Sequence, residues 1–199
     1  MQQRRARELR IIAGEWRGRK LRFPAQTSIR PTPDRVRETL FNWIGPRITG
    51  RRALDLFAGS GVLGLESLSR GAAAATFVDS DPRAAQALRE RLAEWGARGG
   101  TVVRADAQAF LAARPADGPF GLVFLDPPFA AGLLPAIVAR LESGGWLDPG
   151  ALVYVEAAAA DRLPEWPAGW EVLRSGQAGA VGYHLLRREG RHVATGHPT

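Results

Sequence analysis

Cysteine is absent from all 199 residues, which excludes disulfides, cysteine metal sites and the thiol attack that methylation at C5 of a pyrimidine usually needs. No run approaches twenty apolar residues, and the arginine-rich N-terminus leads into no apolar segment, so neither a transmembrane helix nor a signal peptide is expected. A cytoplasmic protein fits. His184, His192 and His197 are the only histidines and crowd the C-terminal end without an acidic partner at ligand spacing, so no metal site is expected. Lysine occurs once, which leaves arginine to carry the net charge of +7. There is no internal repeat, and 45% apolar content suffices for one substantial core.

The placement of the charge is more informative than its size. Residues 1–22 hold Arg4, Arg5, Arg7, Arg10, Arg17, Arg19, Lys20 and Arg22 against Glu8 and Glu15, a surplus of six in one-ninth of the chain. Biased codon usage could inflate arginine everywhere, but it does not explain this concentration. A basic arm interleaved with Trp16 suits a surface that neutralises phosphates and stacks on bases. The candidate RNA-binding residues are Arg4, Arg5, Arg10, Trp16, Arg17, Arg19, Lys20 and Arg22, with Arg30 and Arg35 further on.

Residues 10–23 read as two short strands around Gly14 to Gly18, a hairpin. Thr32-Pro33-Asp34 reads as the cap and first turn of a helix carrying Val36, Leu40, Phe41 and Ile44 at helical spacing. Strands then alternate with helices: strand 53–57, helix 62–70, strand 75–79, helix 82–95 with Asp81 as N-cap, strand 101–104, helix 107–113, strand 120–125, helix 133–142 and strand 151–156. Apolar strands in such alternation predict a parallel, doubly wound α/β sheet. Residues 170–174 and 181–187 have no helix between them and should pair antiparallel. The expected organisation is a basic extension over 1–48, a catalytic domain over 49–190 and a disordered tail over 191–199.

Two motifs carry chemistry. Strand 53–57 runs into Ala58-Gly59-Ser60-Gly61-Val62-Leu63-Gly64, a G-x-G-x-x-G turn opening a helix, with Asp79 ending the next strand. In a chain with 23 glycines the spacing alone is weak, and its context strengthens it. Asp55, just before the turn, would repel a pyrophosphate. It suits the cationic amino-acid tail of S-adenosylmethionine better than a dinucleotide. Asp79 would then accept from ribose hydroxyls, and Asp106 would meet the adenine amine. Phe57, Ala58, Gly59, Gly61 and Ala107 complete the candidate cofactor site.

The second motif is Asp126-Pro127-Pro128-Phe129, closing the apolar run 120–125. Two prolines cannot extend a central strand, because each lacks an N–H and fixes φ. They aim the Asp126 carboxylate, the Pro127 carbonyl and the Phe129 ring at the C-terminal edge of the sheet, where ligands bind in open α/β folds. Such a site suits a planar ring bearing an exocyclic amine: two acceptors take the amine hydrogens and leave the lone pair pointing at an incoming methyl group. Asp126, Pro127 and Phe129 are the candidate catalytic residues, with Phe129 stacking on the ring.

Residues 10–21, Arg-Ile-Ile-Ala-Gly-Glu-Trp-Arg-Gly-Arg-Lys-Leu, and residues 30–43, Arg-Pro-Thr-Pro-Asp-Arg-Val-Arg-Glu-Thr-Leu-Phe-Asn-Trp, together with the two motifs, resemble the RsmD family of bacterial 16S rRNA guanine-N2 methyltransferases, which modify guanine 966. The likeness runs from about residue 9 to residue 187. It implies a class I, Rossmann-like methyltransferase with a seven-stranded, mostly parallel sheet and an antiparallel C-terminal hairpin. It also implies S-adenosylmethionine as donor, S-adenosylhomocysteine as product, no metal, and 16S rRNA in the assembled or assembling 30S subunit as partner, with the enzyme a monomer. The family commonly has glutamate at the position of Asp79, and either carboxylate can accept from a ribose. An amino-methyltransferase of adenine N6 or cytosine N4 in DNA shares the Asp-Pro-Pro-Phe motif, although the chain shows no DNA target-recognition domain. A non-catalytic RNA-binding assembly factor on the same fold is the other alternative, against which Gly59, Gly61, Asp79 and Asp126 speak.

Overall fold

The computed structural model describes residues 7–23, 32–128, 132–161 and 163–190. Strand β1 (Arg7–Arg10) pairs antiparallel with β2 (Lys20–Phe23), Leu9 opposite Leu21, as the expected hairpin. Helix α1 (Asp34–Ile44) follows and ends in a 3-10 turn over Gly45–Ile48. The N-cap of α1 is Pro33, with no side-chain cap bond. Thr32, expected to cap, instead donates its hydroxyl to Glu156 Oε1 at 2.7 Å. A buried hydroxyl is worth more on a buried carboxylate than on one end of an exposed turn.

The remaining elements are β3 (Arg52–Asp55), α2 (Val62–Ser69), β4 (Ala74–Asp79), α3 (Pro82–Trp95), β5 (Gly100–Arg104), α4 (Ala107–Leu111), β6 (Phe120–Leu125), α5 (Leu134–Ser143), β7 (Leu147–Ala158), β8 (Trp170–Ala178) and β9 (Val181–Arg188). Seven strands form one sheet in the order β5-β4-β3-β6-β7-β9-β8. The first five of these are parallel, and β9 runs antiparallel to both β7 and β8. Each parallel step needs a crossover long enough to return the chain, and helices supply it. The order reverses between β3 and β6, so their C-terminal ends flank the crevice where a doubly wound sheet binds its ligand.

Both faces of the sheet are covered, and alternate residues serve different layers. Leu122 and Phe124 of β6 join the hairpin residues Leu9, Ile11, Trp16 and Leu21 and the α1 residues Leu40, Phe41 and Ile44 in one cluster. Val123 and Leu125 join Ile137 and Leu141 of α5 in the other. The described part of the 1–48 extension therefore shares a core with the sheet.

Polar contacts fix the extension as firmly. Glu66 of α2, fully buried, accepts from the backbone N–H groups of Ile12 (2.8 Å) and Ala13 (3.0 Å) and from Arg70 Nε (2.8 Å), with the buried Arg37 guanidinium 3.5 Å away. One helical turn on, Ser69 takes the N–H of Glu15 on its carbonyl (2.8 Å) and that of Trp16 on its hydroxyl (2.9 Å). The approach is so close that a Cβ at Gly14, whose φ is +85°, would lie 1.8 Å from the Ser69 carbonyl oxygen. Glycine is required there by both contact and conformation.

Candidate active site

A cleft of about 520 Å³ opens at the C-terminal ends of β3, β4, β6 and β7. Its wall is built from the turns that leave those strands. After β3 the chain turns through Gly59 (φ +51°) and Gly61 (φ +72°) into α2. Gly64 lets that helix lie on β4, since a Cβ there would come 2.3 Å from the Phe77 ring. Asp79, ending β4, accepts from the N–H of Gly59 on one oxygen (2.7 Å) and from that of Asp81 on the other (2.8 Å). A carboxylate has about four acceptor positions, so Asp79 is oriented by the backbone and keeps capacity for hydroxyl donors in the cleft. Asp106 caps α4, its Oδ1 accepting from Gln108 N–H (2.9 Å) and Ala109 N–H (3.1 Å).

Of the residues expected at a cofactor, Phe57, Gly59, Asp79, Asp106 and Ala107 line this cleft together with Asp126 and Pro127. Asp55, Ala58 and Gly61 do not. Asp55 is only 4% exposed, and its Oδ2 accepts the N–H of Gly64 at 3.1 Å. The carboxylate thus supports the glycine turn, because the first turn of α2 has orphan N–H groups that need an acceptor. Burial pushes the Asp55 carboxyl up to about 7, against the lowering bond from Gly64 and with help from the Asp79 charge.

Asp126 leaves β6 into Pro127 and Pro128 and is pushed up to about 8, first by burial and then by the charges of Glu156 and Asp55. Phe129 lies outside the described residues. Glu156 was not singled out by sequence. It ends up 4% exposed on the wall of the same cleft, its Oε1 accepting from the hydroxyls of Thr32 (2.7 Å) and Tyr154 (2.8 Å). Burial and the Glu156 charge push the Tyr154 phenol upward, so it remains a donor. Among the described residues there is no group of three or more histidine, cysteine or acidic side chains that could hold a metal, and no helix long and apolar enough to cross a membrane.

The raised carboxyls have a consequence for stability. Folded, Asp126 and Asp55 hold their protons up to about 8 and about 7; unfolded, they release them near 4. The folded state therefore binds more protons between these limits, and stability falls as pH rises through that window. Melting temperature is expected to drop from pH 5 to pH 9, and Asp126→Asn to flatten the drop and melt higher than the parent at pH 8. An unchanged profile in the variant would remove Asp126 from the buried acidic set.

The basic residues cluster elsewhere. Arg17, Arg19 and Lys20 are exposed on and after the hairpin turn, as is Arg10 in β1, whereas Arg35, also exposed, stands in the first turn of α1 beside the cleft residues Pro33 and Val36. The Arg19 guanidinium sits over the Trp95 ring at 5.5 Å, and Arg91 over the same ring at 5.6 Å. Trp16 is a correction: it is 6% exposed, edge-on to Trp95 at 5.4 Å, because its indole completes the core beneath the hairpin and is not offered to a base. Arg4, Arg5 and Arg30 lie outside the described residues, as does the side chain of Arg22. The groove lined by Arg19, Lys20, Arg91 and Trp95 is at the far end of α3 from Asp81 and Ala84, which line the cleft. Fourteen helical residues separate the two ends, roughly 20 Å at 1.5 Å per residue.

A doubly wound sheet with an antiparallel β9 beside β7, a glycine turn at the reversal point and acidic strand ends on one cleft defines a class I S-adenosylmethionine-dependent methyltransferase fold. The family model described as conserved hypothetical protein 95 matches residues 9–187. The chain is 49% identical over 182 residues to ribosomal RNA small subunit methyltransferase D of Escherichia coli K12, covering 92% of this chain and 91% of that protein. A solved structure of a putative methyltransferase from Escherichia coli superposes with a TM-score of 0.85 at 47% identity, over 92% of this chain and 99% of that one. An RNA methyltransferase from Salinibacter ruber, solved in complex with S-adenosyl-L-homocysteine, shares the fold alone, at a TM-score of 0.57 and 17% identity over 80% of this chain and 94% of that one. The chain belongs to the RsmD family of ribosomal RNA small subunit methyltransferases.

Proposed function

We propose that the protein methylates the exocyclic N2 of a guanine in 16S rRNA, of the guanine 966 type, acting as a monomer on the assembled or assembling 30S subunit. What carries this reading is Asp126 with the Pro127 carbonyl at the mouth of β6, in one cleft with Asp79. The cleft volume lies within the roughly 300–1,000 Å³ usual for small-molecule sites, and the residues fit the donor. Asp79 offers acceptors to the ribose, Asp106 to the adenine amine, and Phe57, Gly59 and Ala107 form the wall; Asp55 and Gly61 set the turn. S-adenosylmethionine supplies an electrophilic methyl group on a sulfonium.

The target base, flipped out of its stack, presents its amine to Asp126 and Pro127 and its face to Phe129. The two acceptors take the amine hydrogens and turn the lone pair outward, so catalysis is chiefly positioning and electrostatics. Amine donors hydrogen-bonded to Asp126 favour its ionised form, which can then take the amine proton once the new N–C bond has formed. The test is transfer of labelled methyl to unmodified 30S subunits, naked 16S rRNA and duplex DNA side by side. Label on the ribosomal RNA supports the reading; label on DNA, or none despite tight cofactor binding, contradicts it.

The distance between the basic groove and the cleft suits a large folded RNA that contacts both. Replacing Arg17, Arg19 and Lys20 together by alanine is expected to weaken RNA binding and to reduce the slope of log affinity against log salt by about two, at roughly 0.7 per phosphate contact. Cofactor affinity should not move. An unchanged slope would take the hairpin turn out of the RNA site.

A further inference from the structure

We propose that Glu156 reads the target base, its carboxylate accepting the N1–H of guanine while Asp126 and Pro127 accept the N2 hydrogens. The inference rests on the guanine-N2 reading above and adds the residue that selects guanine.

The placement follows from the sheet. Leu125 of β6 and Val155 of β7 are paired in parallel register, so Asp126 and Glu156 are the next residues out on neighbouring strands. Neighbouring strands lie about 4.8 Å apart, and residues in register point to the same face. Two acceptors thus stand side by side on one cleft wall. Guanine presents two adjacent donor positions on its Watson–Crick edge, N1–H and N2–H₂; adenine presents an acceptor at N1 beside the N6 amine.

Glu156 is also held ready. Thr32 from the extension and Tyr154 from its own strand both donate to Oε1, at 2.7 and 2.8 Å, which fixes the carboxylate as an acceptor and sets its orientation. Keeping a second carboxylate buried beside Asp126 is unfavourable for the fold, since like charges in a poorly solvated site repel. A donor pair on the ligand offsets that repulsion, whereas a base with an N1 lone pair adds to it. Sites built around such a hydrogen bond reject analogues lacking the donor far more strongly than apolar pockets do.

The test replaces the target guanine by 2-aminopurine, which keeps the 2-amine, turns N1 into an acceptor and lacks O6, in ligated 16S rRNA reconstituted into 30S subunits. The change in base preference on Glu156→Gln isolates the N1 contact from any made to O6. The wild-type protein is expected to lose at least about 100-fold in kcat/KM on the analogue. Glu156→Gln retains an oxygen for Thr32 and Tyr154 and gains an amide donor for N1. It is expected to lose about 100-fold on guanine and to shrink the guanine preference to roughly tenfold or less, with a melting temperature no lower than the parent's and a cofactor affinity near the parent's. If the wild type methylates both bases equally, or Glu156→Gln lowers both rates and leaves their ratio intact, Glu156 does not read N1 while the guanine-N2 reading stands. If the wild type does not methylate the guanine at all, the underlying reading falls and the inference with it.

Discussion

Asp126→Ala is expected to lower methyl transfer by at least about a thousandfold, the scale of removing a pre-aimed group that acts on developing charge, while leaving the affinity for S-adenosylmethionine within a few fold. The carboxylate is proposed to meet the base, and the proposed cofactor contacts come from Asp79, Asp106 and the glycine turn. Structure does not depend on Asp126 in the usual direction: its carboxyl is pushed up to about 8 chiefly by burial, so removing it relieves an unfavourable charge. The variant should therefore melt no lower than the parent at pH 8, which separates loss of chemistry from loss of fold. Near-normal turnover in single-turnover assays would end the base-site assignment.

Glu66→Ala is expected to have the largest effect on stability. The substitution strands the fully buried Arg37, leaving it, among the described residues, the Asp34 contact at 2.6 Å, and orphans the N–H groups of Ile12 and Ala13. Removing one partner of a buried ion pair costs about 3–5 kcal/mol, and the two half-buried N–H groups lose their acceptor as well. Against a total stability of about 5–15 kcal/mol for a domain, most of the molecule should be unfolded or insoluble at 37 °C. Pairing Glu66→Leu with Arg37→Met should recover much of the loss, because an apolar pair of similar volume replaces the buried charges. A urea-unfolding loss below about 1 kcal/mol for Glu66→Ala would show that the hairpin and α1 are held by their apolar contacts alone.

Features written in local sequence were legible. The Gly59 to Gly64 turn between an apolar strand and a helix, the Asp81 cap ahead of Pro82, and the proline stop after β6 each depend on backbone rules that act within a few residues, and all are present in the structure. What depends on distant partners was not. Trp16 in a basic run reads equally well as a stacking surface or a core residue, and only its contact with Trp95 decides for the core. Glu156 looks like any strand end until Thr32, 124 positions earlier, is found on its carboxylate. Glu66 sits in the apolar run Val62–Ser69, and its partners come from the hairpin, from α1 and from its own helix. Strand ends were short for a similar reason. β7 and β8 extend to Ala158 and Ala178 because both meet Val181 of β9, and that pairing supplies hydrogen bonds that composition does not announce.

The central claim is that the acceptor atom is N2 of one guanine in 16S rRNA. The direct measurement is digestion of rRNA from treated, previously unmodified 30S subunits to nucleosides, with the methylated nucleoside identified by mass spectrometry and its position located by primer extension. N2-methylguanosine at a single position, lost with Asp126→Ala, is the expected result. N6-methyladenosine, a ring-methylated guanosine, or methyl groups scattered over many positions would contradict the account of a cleft built to hold one exocyclic amine.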